Sequence, residues 1–268
     1  MVQDVSKSVS KSAWDPALYL EFADDRARPA DDLMARLNLD VAGGVMDLGC
    51  GPGNLTVKLK QRWPTRPVTG LDSSSEMLTK ARTSPGAGNI TWTPGDISAW
   101  SPSERFALVF ANAALHWVPD HASIFPRLMH AVAAGGRLAV QMPMTGKALY
   151  HDCIRRVLAL PHWRDRLAGV RSHDHPLKAS AYYDFLAPLS SHVDIWETTY
   201  HHVLADKFAV TAWIAGAALV PYLDLLDTNE KARFLGDYTD IAATAYPPHD
   251  DGRVLFQMRR IFMIAKRR

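Results

Sequence analysis

Val45-Met46-Asp47-Leu48-Gly49-Cys50-Gly51-Pro52-Gly53-Asn54 decides the fold class of this 268-residue chain. An apolar strand ends near an acid, and three glycines follow at every second position. A glycine lacks a Cβ, so the backbone can turn sharply there and come close to a ligand. A second apolar stretch, from Pro67, ends in Gly70-Leu71-Asp72. Asp47 and Asp72 are therefore expected to close neighbouring parallel strands at one edge of a sheet. That edge is where open α/β sheets bind nucleoside ligands. The spacing D-x-G-x-G-x-G differs from the dinucleotide fingerprint G-x-G-x-x-G, whose turn cradles a pyrophosphate.

Composition narrows the class. Hydrophobic residues make up 47% and charged residues 22% of the chain, ordinary for a globular protein able to build a sizeable core. Thirty basic and 28 acidic side chains leave a net charge of +2, so no global field points to nucleic acid. The basic cluster Lys266-Arg267-Arg268 reads as a solvated tail. Two cysteines, Cys50 and Cys153, make neither a disulfide framework nor a zinc site, and no metal site is expected. Cys50 reads as a small buried filler of the glycine loop. No run of 18 apolar residues is present to span a membrane. Residues 1–12 lack the apolar core of a secretory signal and read as a disordered leader. Together these features predict a reducing, cytoplasmic setting. Nothing in the sequence fixes the oligomeric state.

Strand and helix patterns alternate through the first half. Residues 13–40 read as a helical lid, with a break expected just before Pro29. Over 44–143 the strands are expected at 45–48, 67–71, 89–93, 107–112 and 137–141. The helices between them are expected over 54–62, capped by Asn54, over 73–82, capped by Ser73, and over 123–133, ended by Gly135-Gly136. This alternation predicts a doubly wound, Rossmann-like parallel sheet. Beyond Pro143 the rhythm changes. Helical pieces are expected over 144–190 and 206–248, with Pro221 as a joint in the second. Strands are expected over 193–203 and 254–266. The expected architecture is a single domain over 13–268, with those helical pieces capping the cofactor edge.

Four features fall at successive strand ends. The first is the loop itself, with Asp47, Gly49, Cys50, Gly51, Gly53 and Asn54. The second is Asp72-Ser73, whose carboxylate can accept from two ribose hydroxyls; Met77, one helical turn later, can cover an adenine face. The third is Asp96-Ile97, placed to accept from an adenine amino group and to flank the ring. The fourth is Asn112-Ala113, placed at the methionine end and the sulfonium. This series is similar to the cofactor site of class I S-adenosylmethionine-dependent methyltransferases, and the resemblance implies a seven-stranded sheet with a terminal antiparallel hairpin.

Longer segments resemble the trans-aconitate 2-methyltransferase family. They include Trp14-Asp15-Pro16 with Tyr19, Phe22 and Arg26-x-Arg28-Pro29-Ala30, and Phe110-Ala111-Asn112-Ala113-Ala114-Leu115-His116-Trp117-Val118-Pro119-Asp120-His121. They also include Ala139-Val140-Gln141-Met142-Pro143, Ala181-Tyr182-Tyr183-Asp184, Asp194-Ile195-Trp196-x-Thr198-Thr199-Tyr200 and Arg260-x-Phe262. The resemblance covers nearly the whole chain after Lys11. It implies methyl transfer to one carboxylate of a small organic acid. A carboxylate is ionised at neutral pH, since its unperturbed pKa is about 4, and needs no general base. It does need cationic and hydrogen-bonding partners, and arginine forks suit it best. Candidates for holding the acid are Trp14, Tyr19, Arg26, Arg28, Gln141, Tyr182, Tyr183 and Arg260, with His116 and Trp117 positioning the reacting groups.

The chain departs from the family at two places. The family's Thr-Gly-Leu-Arg-Pro appears here as Ala217-Ala218-Leu219-Val220-Pro221, so an arginine is replaced by Val220, with Arg171 or Lys178 as possible compensation. A glutamine before the tryptophan of the fourth-strand loop appears as His116. Two other readings stay open at this stage: a hydroxyl, amine or carrier-bound acceptor with His116 as base, and a cofactor-binding regulatory protein without enzymatic activity.

Overall fold

The computed structural model describes residues 23–146, 148–170 and 176–268, with side chains described from residue 27 onward. Trp14, Tyr19, the Arg26 side chain, Arg171 and the expected leader lie outside the described residues. Helix α1 spans Ala23–Ala35, β1 Val45–Leu48, α2 Asn54–Arg62, β2 Val68–Asp72, α3 Ser75–Thr83 and β3 Thr91–Pro94. Then come β4 Phe106–Asn112, α4 His121–Ala131, β5 Val132–Pro143, α5 Leu149–Leu158, α6 Pro161–Arg164 and α7 Ala179–Leu186. The chain closes with β6 Ser190–Leu204, α8 Lys207–Ala215, α9 Val220–Leu223, α10 Thr228–Ala245 and β7 Val254–Arg267.

The strands form one seven-stranded sheet in the order β3-β2-β1-β4-β5-β7-β6. β1 pairs in parallel with both β2 and β4, and β7 runs antiparallel to β5. The strand order reverses between β1 and β4, which opens a crevice at their carboxyl ends. Register assigns side chains to faces, because residues two apart return to the same side and direct partners project together. One face carries Met46, Leu71, Val109, Val140, Met142, Ile261 and Met263. These pack with Phe125 and Leu128 of α4 and with Tyr182 and Leu186 of α7 into one core. The other face carries Asp47, Gly70, Asp72, Phe110, Asn112, Gln141, Phe262 and Arg260.

Residue contacts divide the chain into two compact units. One contains 27–144, 173–198 and 259–268, and with them the parallel sheet just described. The other contains 145–172 and 199–258 and has its own core, built from Tyr150, Ile154, Val157, Trp163, Trp213, Phe234, Tyr238 and Phe256. The expected helical segment 144–190 is therefore split. Its second half joins the sheet unit because Tyr182 and Leu186 are buried in that core.

Several local expectations are corrected. Pro29 does not separate two helices; it lies inside α1. Its missing N–H removes one intrahelical bond, and the apolar stripe Ala30, Leu33, Met34 and Leu37 is buried regardless. α2 starts from Gly53 in a left-handed conformation, with no side-chain cap, so Asn54 is its first residue and not its cap. Ser74, not Ser73, caps α3 by accepting from the Met77 N–H at 3.2 Å. Gly135-Gly136 lie within β5, beside a register irregularity between Phe106 and Leu108, and do not end a helix. The terminal arginines are not a free tail. Arg268 donates to the carbonyls of Pro188 and Ser190, each at 3.0 Å, and Arg267 to that of His130 at 2.7 Å. They tie the end of β7 to carbonyls at the ends of α7 and α4.

Candidate functional site

The glycine loop hangs between β1 and α2 and is pinned from below. Gly49 and Cys50 donate to the Leu71 carbonyl at 2.8 and 3.0 Å. The indole of Trp92 lies beneath it: a Cβ on Gly53 or Gly70 would sit 2.6 or 2.7 Å from that ring. Trp92 was missed from the sequence. The available signal was a pair of glycines, one in the loop and one in β2, both clearing room for one aromatic. Cys50 is buried at the loop's base, and burial raises its thiol far above the ordinary range. It is a filler, without thiolate chemistry.

Asp72 organises the second corner. One carboxylate oxygen accepts from the Gly51 N–H at 2.8 Å, and the other from the Ser74 N–H at 2.8 Å. Each oxygen keeps a further lone pair, enough for two hydroxyl donors. The Gly51–Asp72 bond joins the loop of β1 to the tip of β2. Ser73 is exposed beside it, and Met77 is half-buried on the first turn of α3.

Asp47 sits behind the loop, 2% exposed, and accepts from Thr56 Oγ1 at 2.6 Å. Burial pushes its pKa up to about 7, with a further contribution from the Asp72 charge; the Thr56 hydroxyl opposes the rise. The sign for stability follows. Between pH 4 and 7 the native state holds a proton that the unfolded chain has released, so stability falls as pH rises through that window. The contribution is on the order of 4 kcal/mol. Asp47→Asn is expected to flatten the curve and to be more stable than the parent at pH 8, a result checked by thermal unfolding at pH 5 and pH 8. A parent protein equally stable at both pH values would overturn the assignment.

Asp96 is exposed after β3, where the Ser98 hydrogen bonds hold its carboxyl below the usual range. It stands on the rim of a cavity of about 490 Å³ lined by Thr69, Leu71, Thr93, Trp100 and Phe106. Ile97 is buried and belongs to the core. At the end of β4, Asn112 Oδ1 is buried without a hydrogen-bond partner among the described residues. Ala113 follows with a left-handed φ of 49° and donates to the Gln141 carbonyl at 2.9 Å. A short helical turn, Leu115–Trp117, then buries His116 and leaves Trp117 half exposed, the two rings 5.1 Å apart.

Among the candidates for holding substrate, Gln141 and Arg260 lie on the functional face, 1% and 8% exposed. Arg28 and Tyr183 are exposed on helices. Tyr182 is reassigned. It is fully buried, its hydroxyl accepts from the Leu177 N–H at 3.0 Å and meets His121 Nδ1 at 2.8 Å. His121 Nε2 donates to the Leu115 carbonyl at 2.9 Å, which leaves Nδ1 to accept the tyrosine O–H. With both functions used, Tyr182 braces the turn that bears His116. Tyr182→Phe is expected to lower stability by about 1–3 kcal/mol while leaving the acceptor KM unchanged. Thermal unfolding and steady-state kinetics on one preparation check this, and a raised KM with unchanged stability would return Tyr182 to the site.

A sequence model described as "Methyltransferase domain" matches residues 45–136. Solved structures share the fold: a methyltransferase of Bacillus halodurans (TM-score 0.55, 19% identity, 91% of this chain and 98% of that one) and a phosphoethanolamine N-methyltransferase of Haemonchus contortus (TM-score 0.55, 14% identity, 90% and 53%). Curated relatives go further. The trans-aconitate 2-methyltransferase of Azoarcus sp. is 45% identical over 95% of this chain and 99% of its own length. That of Rhodopseudomonas palustris strain BisB18 is 44% identical over 94% and 98%. This chain belongs to the trans-aconitate 2-methyltransferase family. It is an S-adenosylmethionine-dependent methyltransferase, and the family's cofactor fits the corner described. Asp72 keeps two acceptor positions, a Cβ on Gly51 would meet nothing within 4 Å, and Asn112 offers a buried acceptor.

Proposed function

We propose that this enzyme methylates one carboxylate of trans-aconitate or a closely related small acid. The observation that carries the proposal is the reach of the identity. The methyltransferase-domain match ends at residue 136, whereas identity to relatives named for trans-aconitate continues over about 95% of the chain. The residues outside the cofactor core are the ones free to define an acceptor. The partner is then a small carboxylic acid rather than a nucleic acid or a membrane. Among the described residues no helix is long and apolar enough to cross a bilayer. Two free cysteines suit a cytoplasmic setting.

S-adenosylmethionine supplies, when bound, an electrophilic methyl group on a positively charged sulfur. Asp72 would hold the ribose, Asp96 would serve the adenine, and Asn112 and the loop, with Asp47 behind it, would hold the methionine end. The acceptor oxygen is already anionic, so His116 has no proton to remove and serves to position. What the chain supplies is alignment of oxygen, carbon and sulfur, which can contribute roughly 7–11 kcal/mol in favourable cases. Burial adds to this, because opposite charges approach each other away from water.

The test offers purified enzyme and cofactor trans-aconitate beside cis-aconitate, citrate, isocitrate and simple monoacids. Base-labile ester formed fastest on trans-aconitate is the expected result. Turnover on a mono- or dicarboxylate alone would mean that the acceptor site is not built for a tricarboxylate. Cofactor binding without turnover on any acid would refute the acid reading and direct the search to hydroxyl and amine acceptors.

A further inference from the structure

Gln141 is the least explained polar residue of the functional face. Its side chain is 1% exposed, and neither Nε2 nor Oε1 has a hydrogen-bond partner among the described residues. Leaving such atoms unpaired is costly, so their presence on this face requires a reason. The register supplies the neighbours. Asn112 of β4 stands directly opposite on one side and Phe262 of β7 on the other. Cross-strand partners have Cβ atoms about 5 Å apart, yet the Gln141 amide and Asn112 Oδ1 do not bond to each other. Phe262 offers no polar atom, and its ring is held by a parallel stack on Trp196, 4.9 Å away at 5°. Arg36 lies over the same indole at 4.0 Å. Arg260, opposite Pro143 and two residues from Phe262, projects from the same face and is 8% exposed.

Across this one face the side chains follow an order of charge. Carboxylates stand on β2 and β1 (Asp72, Asp47), neutral amides on β4 and β5 (Asn112, Gln141), and a buried guanidinium on β7 (Arg260). Neighbouring strands lie about 4.8 Å apart, so the guanidinium stands beyond the amides from the cofactor's ribose. An amide presents both a donor and an acceptor and can face an anion on one side and a cation on the other. A carboxylate gripped by arginine is a poorer nucleophile than one held by a single amide N–H. We infer that Gln141 holds the reacting carboxylate and Arg260 a second, non-reacting carboxylate of the same acid. The inference rests on the acid-methylating reading above.

The test uses the full-length enzyme, trans-aconitate, and crotonate as a monocarboxylate, with affinities measured by calorimetry in the presence of S-adenosylhomocysteine and KM by ester formation. R260Q is expected to weaken trans-aconitate at least about tenfold, as loss of a charge-assisted pair does. It should leave crotonate and the cofactor within twofold, and R260K should recover part of the loss. Q141E is expected to raise the KM for trans-aconitate at pH 8 and to lower it again as the introduced carboxylate is protonated toward pH 5. That pH profile is one a purely structural role would not produce. Equal weakening of crotonate and trans-aconitate in R260Q, or no change in either variant, overturns the inference. R260K and Q141E keep the test open if R260Q fails to fold. Failure of the acid reading itself would already be seen in the parent enzyme, which would then turn over no acid.

Discussion

Asp72→Ala is expected to abolish useful cofactor binding. The carboxylate contributes two acceptor positions for hydroxyls beyond those already taken by Gly51 and Ser74. Hydrogen bonds to a charged acceptor contribute about 1.5–3 kcal/mol each, so their joint loss weakens binding roughly a hundredfold to ten-thousandfold. The alanine also releases the two backbone donors and uncouples the β1 loop from β2. Calorimetric titration with S-adenosylhomocysteine checks the outcome. Asp72→Asn separates the contributions, because it keeps one acceptor oxygen while removing the charge, and is expected to fall between parent and alanine. Unchanged affinity in the alanine variant would sink the cofactor assignment.

Gly49→Ala is expected to damage the fold as well as the site. Gly49 has a φ of 70°, in the left-handed region, and an added Cβ would lie 2.4 Å from the Ala114 Cβ. That methyl has no rotamer by which to withdraw. Backbone strain and overpacking each cost about 1–3 kcal/mol, which in a chain of this size lowers Tm by roughly 5–15 °C. Gly51→Ala is the control. Gly51 also has a left-handed φ, 54°, but its Cβ would meet nothing within 4 Å. Its stability loss is expected to be about 1 kcal/mol, with the larger effect on cofactor affinity, because the methyl enters open space at the face of the loop. Equal Tm losses in the two variants would contradict the packing described.

The sheet was legible because its strands are short apolar runs whose ends carry acids and glycines. Asp47, Asp72 and Asn112 each have a role set by position along one strand and lie where that pattern puts them. Local periodicity failed where a contact distant in sequence decides. Nothing near Tyr182 reveals that His121, sixty-one residues earlier, will pair with its hydroxyl. Nothing near Arg268 reveals the carbonyls of Pro188 and Ser190. Ser73 and Ser74 were indistinguishable as caps by composition, and backbone geometry selected Ser74. Gln141 was legible as a candidate, but the isolation of its side-chain amide among the described residues belongs to the folded sheet.

The order of charge across the functional face has a consequence for turnover. Methyl transfer from a sulfonium to a carboxylate removes one positive and one negative charge together. The amide that held the reacting anion would then face an ester, the guanidinium would keep only the non-reacting carboxylate, and the acidic end would face a thioether that has lost its cation. Asp72 would still hold the ribose of the spent cofactor. The ester is therefore expected to depart first, leaving S-adenosylhomocysteine as the slow-leaving product and the effective inhibitor of the next cycle.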